Sequence, residues 1–302
     1  MDCSLLNLTY HIIQRRVTIL QLHNEKVSLT LKAHGAEMTS WKVEGTELLW
    51  QGDPTYWGRQ APILFPFVGR LLDDRYLYEG LTYTMSQHGF ARDELFEVAE
   101  ASDTHVRFIL RDSIETRKHY PFSFELNVIY RLIGEELNVT YHVVNRDDVV
   151  LPFSIGGHPA FNIPFAGGTF EDYTIDFGET RTLDRLLLEG PYLTGAYQPL
   201  GERRYIPLTH HLFDQDALIF EQIEYAALRH QPSGRAIVME SPQFTHFGIW
   251  SPPHSDAPFA CLEPWFGHAD YKGHRKDIRH KEDMQLLEPG ESFEATYTLY
   301  ME

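Results

Sequence analysis

The 302-residue chain has few cysteines and a deficit of positive charge. Its two cysteines, Cys3 and Cys261, form neither a disulfide framework nor a CxxC metal-binding pair. That usage fits a reducing compartment, so we expect a cytoplasmic protein. Its 26 lysines and arginines face 43 aspartates and glutamates, which gives a formal net charge of −17. Because this charge repels phosphate backbones and anionic lipid, we expect neither nucleic acid nor membrane as a partner.

The chain also lacks targeting segments, linkers and familiar catalytic motifs. No stretch of about 18 apolar residues is present, and residues 1–16 lack the basic start, apolar run and cleavage site of a secretory signal. GxGxxG, GxxxxGK[ST], HExxH and GxSxG are all absent. The simplest nucleotide-binding, zinc-protease and serine-hydrolase readings are thereby excluded. Without repeats or linkers, we predict a single domain over residues 1–302.

The hydrophobic pattern has a period of two over much of the sequence. Apolar residues alternate over residues 104–110. Residues 124–130 and 136–144 flank a Gly-containing turn and predict a hairpin, as do residues 226–230 and 235–240.

Two further strands are predicted over residues 245–250 and 293–300. Only short helical turns are expected, around residues 112–119 and 270–272. Many short strands with few short helices indicate an all-β protein built as a large antiparallel β-sandwich. Its function is then expected on loops or on one face of a sheet.

Histidine and aromatic residues are abundant, and some of them lie in unusual surroundings. The chain has 16 histidines, 5 tryptophans, 16 tyrosines and 19 phenylalanines. Four segments combine polar side chains with glycine, proline and aromatic neighbours instead of a charged surface pattern. These segments are residues 58–70, 87–93, 154–162 and 259–267.

His158 and Glu263 are the candidate acid–base residues of these segments. His158 is framed by two glycines and Pro159, which suits a rigidly held general acid but also a structural histidine. Glu263 lies in an apolar run, where burial raises a carboxyl pKa towards neutrality; the alternative is a buried ion pair with an arginine. Trp265 offers a flat apolar face on which a sugar ring can stack.

Four motifs in this order resemble the aldose 1-epimerase (galactose mutarotase) family, and most closely its bacterial branch associated with lactose operons. The resemblance covers nearly the whole chain. The motifs are Phe65-Pro-Phe-Val-Gly-Arg70, His88-Gly-Phe-Ala-Arg92, Gly156-Gly-His-Pro-Ala-Phe161 and Leu262-Glu-Pro-Trp265.

The resemblance implies a galactose mutarotase-like supersandwich that interconverts the α and β anomers of an aldohexose without cofactor or metal. It implies that Glu263 is the base and His158 the acid. The candidate substrate-binding residues are His88, Arg70, Asp216 (preferred over Asp214), Trp265 and Arg59, whose competing reading is a surface arginine. We expect a monosaccharide as partner and a monomer or homodimer. Gly-Arg-Leu around Arg70 and Gly-Gly-His-Pro-Ala-Phe-Asn around His158 depart from the usual family patterns, which leaves the sugar open.

Four alternatives remain open at this point. One is a hexose-6-phosphate 1-epimerase with Arg59 and Arg92 as a phosphate site, which the negative charge disfavours. Another is a carbohydrate-binding protein without catalysis, which would not need both Glu263 and His158. A glycoside hydrolase would use Asp216 and Glu263 as paired carboxylates but leaves His158 without a role. A metal site of His88, His158 and Glu263 lacks the local spacing of known metal motifs.

Overall fold

The structure is a computed structural model that describes residues 18–273 and 277–302. Cys3 and the N-terminal residues that lack the features of a leader lie outside these ranges. Within the described ranges, no helix has the length and apolar character that crossing a membrane requires.

Strands account for most of the regular structure in the described residues. The first twelve are β1 (Ile19–His23), β2 (Val27–Lys32), β3 (Glu37–Val43), β4 (Thr46–Glu47), β5 (Ile63–Leu64), β6 (Arg75–Tyr78), β7 (Leu81–Thr84), β8 (Glu97–Ala101), β9 (His105–Arg111), β10 (Phe124–Ile133), β11 (Glu136–Asn145) and β12 (Leu151–Phe153). The others are β13 (Ile155–Gly157), β14 (Ala160–Asn162), β15 (Tyr173–Glu189), β16 (Tyr192–Pro207), β17 (Leu218–Glu221), β18 (Tyr225–His230), β19 (Ala236–Glu240), β20 (His246–Trp250), β21 (Phe259–Phe266), β22 (Gln285–Leu287) and β23 (Ser292–Met301).

Helical structure in the described ranges is limited to short 3₁₀ segments of three or four residues. They are Leu72–Asp74, Ala91–Asp93, Thr116–Lys118, Phe170–Asp172, His210–Phe213 and Ile278–His280. The chain is therefore all-β with few short helices, as its period-two pattern predicts.

Two antiparallel sheets form the body of the fold. The larger has fifteen strands, ordered β5-β13-β21-β20-β17-β15-β18-β19-β23-β11-β10-β9-β8, with β14 added beside β21 and β16 beside β15. A second sheet has the order β1-β2-β3-β4, and β6-β7 and β12-β22 form two small ribbons. The sheets pack together: Trp41 of β3 lies edge-on to Phe161 of β14 at 6.0 Å. One apolar cluster joins both sheets and extends from Leu22 to Leu299.

Alternation along the strands gives the large sheet two different faces. On β21, Ala260 and Leu262 enter the main core, whereas Cys261, Glu263 and Trp265 point to the opposite side. Strands β17 and β20 alternate in the same way. The side chains that face away from the main core form the floor of the candidate site.

The predicted hairpins are confirmed, and one predicted helical turn is wrong. Strands β10 and β11 pair in register through a turn at residues 134 and 135, and β18 pairs with β19. The turn predicted around residues 112–119 contains the 3₁₀ helix Thr116–Lys118. Around residues 270–272 the chain is not helical, because Tyr271 instead forms a bridge to Leu193.

Candidate active site

A cavity of about 290 Å³ lies over β17, β20 and β21. Its volume is near the lower end of the range for small-molecule sites, about 300–1,000 Å³. Its walls combine aromatic rings with a few polar side chains. Those with functional potential are Trp57, Gln87, His88, Arg92, His158, Asp216, Trp250, Glu263 and Trp265.

Glu263 is a buried carboxylate at the base of this cavity. Its side chain is 1% exposed, and its Oε2 lies 3.2 Å from Nε2 of His158. Among the described residues, no group donates a hydrogen bond to this Oε2 atom. Burial raises the pKa of Glu263 well above its ordinary value, and the negative charge of Asp216 adds to the rise.

His158 is held from several sides immediately after β13. Its backbone N–H donates to the Pro62 carbonyl at 3.1 Å. Its ring stacks on Trp57, with centroids 4.9 Å apart, and meets Trp250 edge-on at 5.5 Å. Burial lowers the pKa of His158 to about 3, and the positive charges of Arg92 and Arg59 act in the same direction. The imidazole is therefore neutral and fixed in orientation before any ligand binds.

His88 reaches the cavity from a tight turn. Its Nδ1 accepts a hydrogen bond from the Gly69 N–H at 3.1 Å, so the proton of the neutral ring lies on Nε2. Burial lowers the pKa of His88 well below its ordinary value. The following Gly89 has a φ of +71°, and a Cβ there would lie 2.1 Å from the Phe65 carbonyl oxygen. Only glycine therefore permits this turn, which presents the Nε2–H of the neutral ring at the cavity, 3.3 Å from the Gln87 side-chain amide.

Trp265 forms part of the cavity wall and rests on the neighbouring strand. Its ring lies over Gly248 of β20, where a Cβ would come within 2.5 Å of the indole. The indole Nε1 forms no close hydrogen bond among the described residues, but its interaction with the Glu263 carboxylate lowers the pKa of that group. Trp265 therefore contributes both a flat apolar face and an indole N–H donor to the cavity wall.

The structure brings Asp216, and not Asp214, to the main cavity. Asp216 precedes β17 with a φ of +67°, and its Oδ1 accepts from the Ala217 N–H at 2.8 Å. Buried Arg185 donates to the carbonyls of Gln215 and Ala217, both at 3.1 Å, and so braces this turn. Asp214 instead pairs with two histidines outside the main cavity.

Two of the three candidate arginines do not line the cavity. Arg70 turns away to form a bidentate ion pair with Asp74, with Nε–Oδ1 at 2.8 Å and Nη2–Oδ2 at 2.7 Å. Arg59 pairs with Asp93 at 3.0 Å. Arg92 does line the cavity; its Nη2 donates to the Gln87 carbonyl at 2.6 Å, and its Nε makes no hydrogen bond among the described residues but lies 3.7 Å from Asp93 Oδ2. The sequence motif ending at Arg70 thus brings Gly69, rather than the Arg70 guanidinium, to the site.

Sequence reasoning missed the aromatic residues that hold His158. Trp57 and Trp250 come from a loop and from β20, and neither belongs to a motif singled out by the sequence. Their only signal is a general surplus of aromatic residues, which does not separate cavity walls from core. Gln87, beside His88, lies in the candidate segment 87–93, but the sequence indicates no role for it.

Cys261 completes a tight group with the acid–base pair. One ligand atom each of His158, Cys261 and Glu263 lies within 4.8 Å of the others. Burial raises the pKa of the Cys261 thiol well above its ordinary value. Since the thiolate is the form that attacks or binds metal, the neutral thiol acts here as a small apolar neighbour.

Comparisons with known proteins agree with this architecture. A family model described as aldose 1-epimerase matches residues 18–300. Protein LacX of Lactococcus lactis subsp. lactis is 33% identical over 265 residues, which cover 82% of this chain and 87% of that protein. The chain is also similar to the crystal structure of a galactose mutarotase related enzyme from Lactobacillus acidophilus, with 36% identity, a TM-score of 0.91 and coverage of 94% and 97%. A galactose mutarotase-like protein from Lactobacillus casei gives 35% identity, a TM-score of 0.89 and coverage of 94% and 100%.

Proposed function

The chain belongs to the aldose 1-epimerase family, and we propose that it interconverts the α and β anomers of a free aldohexose such as galactose or glucose. One observation carries this proposal. A buried carboxylate and a buried imidazole, Glu263 and His158, meet at 3.2 Å in a cavity of monosaccharide size.

Anomer exchange requires two proton transfers and no cofactor. Glu263 removes the proton from the C1 hydroxyl, and His158 delivers a proton to the ring oxygen O5. The C1–O5 bond breaks as the C1–O1 bond becomes a carbonyl. Rotation about C1–C2 then exposes the other face of the aldehyde, and closure reverses both transfers.

The two catalytic groups share one exchangeable proton. Burial raises the pKa of Glu263 and lowers that of His158, so in the free protein this proton rests on Glu263. Transfer across the 3.2 Å contact from Oε2 to Nε2 produces the carboxylate base and the imidazolium acid that ring opening needs. The pair has no net charge in either form, which limits the cost of burying it.

The remaining polar groups of the cavity orient the sugar. His88 Nε2–H and the Arg92 guanidinium donate to hydroxyls or to O5, while Asp216 accepts from hydroxyls. The buried Arg92 Nε and Trp265 Nε1 atoms make no close hydrogen bond among the described residues, which supports this role because a polyhydroxylated ligand offers further oxygens. Trp265 stacks on an apolar face of the ring. Arg70 and Arg59 have no part in this proposal, since carboxylates outside the cavity occupy both.

Polarimetry of freshly dissolved α-glucose and α-galactose tests the proposal. We expect the protein to accelerate the approach to rotational equilibrium above the buffer rate, and Glu263→Gln and His158→Gln to lose this acceleration. No acceleration with any aldose would leave a carbohydrate-binding protein as the better reading. Glucose 6-phosphate measured in parallel tests the phosphorylated alternative, which the pairing of Arg59 with Asp93 argues against.

A further inference from the structure

A second cluster of histidine and carboxylate side chains lies outside the acid–base pair. His246 belongs to β20, His268 follows β21, and Asp283 precedes β22. One ligand atom from each lies within 4.8 Å of the other two. Both histidines are buried, whereas the Asp283 side chain is about half exposed. Three separate segments thus converge on one point that solvent can reach.

His268 directs a nitrogen lone pair into this cluster. Its Nδ1 lies 2.7 Å from the carbonyl oxygen of Ala269, and a carbonyl only accepts, so Nδ1 carries a proton. In the neutral ring, Nε2 is then unprotonated, although it faces the Asp283 carboxylate at 3.0 Å. Two acceptors at this distance need a cation between or beside them, either a proton or a metal ion.

His246 contributes a buried atom without a hydrogen-bond partner. Its side chain is 4% exposed, and its Nε2 lies 3.8 Å from Asp283 Oδ2 and 3.9 Å from Glu221 Oε1. Both separations exceed hydrogen-bond length, and no other described group bonds to this nitrogen. The Nδ1 atom is engaged with the Thr245 hydroxyl at 3.0 Å. The Nε2 atom is therefore oriented towards the cluster and left without a partner.

We propose that His246, His268 and Asp283 bind a divalent transition-metal ion of the Zn²⁺ class. Two imidazole nitrogens and one carboxylate form a ligand set that such ions favour. Bonds of about 2.0–2.2 Å to Zn²⁺ place tetrahedral ligands roughly 3.3–3.6 Å apart, so the observed separations of 3.0 and 3.8 Å need only small adjustments. The bond from His268 Nδ1 to a backbone carbonyl is the outer contact that usually orients a metal-binding histidine.

The charge around the cluster is compatible with a bound cation. Among the described residues, Lys281 is a positive group near the cluster, but its Nζ pairs with Asp270 at 3.3 Å and donates to the His268 carbonyl at 2.8 Å. Glu221 adds a second half-exposed carboxylate on the His246 side. Water or Glu221 can therefore complete the coordination from the solvent side.

A metal ion here would brace the cavity without taking part in proton transfer. Ala269, next to His268, lines the cavity and also contacts Gly69, where a Cβ would lie 2.6 Å from it. A metal ion bound to all three ligands would connect β20 to the segments that contain His268 and Asp283. It would thereby hold the part of the cavity wall formed by Ala269 in place. The site therefore depends on geometry outside the Glu263–His158 pair and does not rest on the proposed function.

Metal analysis and thermal unfolding test the site on the full-length protein freed of any affinity tag. We expect about one Zn²⁺ per chain after dialysis, and an unfolding temperature that rises with free Zn²⁺. Asp283→Asn and His246→Gln should each weaken Zn²⁺ binding by at least tenfold, since even outer contacts of metal ligands contribute 10–100-fold. Asp283→Asn provides the second variant if His246→Gln does not fold.

Two controls make the result specific. His105→Gln removes a surface histidine 3.9 Å from a carboxylate and should leave Zn²⁺ binding unchanged. Glu263→Gln disrupts the other histidine-containing cluster and should also leave it unchanged. Loss of Zn²⁺ binding in Glu263→Gln would show that the ion binds at the acid–base pair instead, and would overturn the proposal. So would undiminished binding in both cluster variants, or a wild type that binds no Zn²⁺.

Discussion

Two buried carboxylates on the same large sheet, Asp176 and Glu263, have opposite electrostatic surroundings. Asp176 of β15 accepts hydrogen bonds from Arg204 and Arg229, at 2.7 and 2.8 Å, and from the Gly178 N–H at 2.9 Å. Among the described residues, Glu263 of β21 has no cationic partner, and its Oε2 lies 3.2 Å from the neutral ring of His158. One carboxylate is satisfied by its neighbours, and the other is not.

The same burial therefore leads to different pKa shifts. Burial works to raise the pKa of Asp176, but the hydrogen bonds from Arg204 and Arg229 outweigh it and bring the pKa below its ordinary value. At Glu263, burial raises the pKa and outweighs the lowering contribution of the Trp265 hydrogen bond. The satisfied group contributes to stability, whereas the unsatisfied group keeps a proton available for chemistry. Substitutions at either carboxylate test this difference.

The largest expected effect is on turnover by Glu263→Gln. Removing the base should lower kcat by about 10²–10⁴-fold, the usual contribution of general acid–base catalysis, while the unfolding temperature stays equal or rises. Asp176→Asn should retain kcat within a few-fold. Polarimetry and thermal unfolding of the same preparations measure both effects. Equal losses of turnover in the two variants would show that stability, not proton transfer, explains the role of Glu263.

The next effect is on stability and falls on Asp176→Asn. Replacing this carboxylate weakens charged hydrogen bonds from Arg204 and Arg229, which should cost about 1.5–3 kcal/mol of unfolding free energy. Denaturant titration measures that loss, with Glu263→Gln as the matched change at the other buried carboxylate. A larger loss in Glu263→Gln than in Asp176→Asn would reverse the assignment of the structural and the catalytic carboxylate.

The two carboxylates should also give stability opposite pH dependences. The native pKa of Asp176 lies below its unfolded value of about 3.9, so its contribution is present above that pH and is lost as the pH falls through the native pKa. Native Glu263 holds its proton above the unfolded pKa of about 4.3, so stability decreases as the pH rises from there towards the native pKa.

Each group can change the slope of unfolding free energy by at most about 1.4 kcal/mol per pH unit. Denaturant titrations between pH 3 and 7 measure these slopes for wild type, Asp176→Asn and Glu263→Gln. The wild-type-minus-variant difference should rise with pH for Asp176→Asn and fall with pH for Glu263→Gln. Two differences of the same sign would contradict the opposite pKa shifts.

Local sequence pattern predicted the strands better than it predicted long-range contacts. The hairpins at β10–β11 and β18–β19 follow from alternation and turn residues that lie close together. The long strands β15 and β16 were not foreseen, because register shifts between them interrupt the period-two pattern. Pairing of Tyr271 with Leu193 joins residues 78 positions apart, and no local preference encodes it.

The candidate site likewise contains residues that local sequence predicts and residues that only the fold brings together. Glu263 and His158 stand out because each is a polar residue in rigid or apolar surroundings, and the structure brings them into contact. Trp57 and Trp250 reach His158 only through the fold. Arg70 illustrates the converse: its motif predicts a place in the cavity, but Asp74, four residues away, provides a closer partner.

The smallest expected effects compare an arginine that lines the cavity with one that turns away from it. Arg92 lines the cavity, and its Nε makes no hydrogen bond among the described residues, so Arg92→Lys, which keeps the charge but loses the guanidinium fork, should raise KM about tenfold with little change in kcat. Arg70→Ala should leave KM and kcat within twofold, because its guanidinium is bound to Asp74 outside the cavity. Its ion pair is about 40% exposed on each side, so the loss of stability should stay below about 1 kcal/mol.

Initial rates over a range of sugar concentrations measure both variants. A KM increase in Arg70→Ala as large as that in Arg92→Lys would return Arg70 to the substrate-binding groups, and would mean that its bond to Asp74 opens when sugar binds.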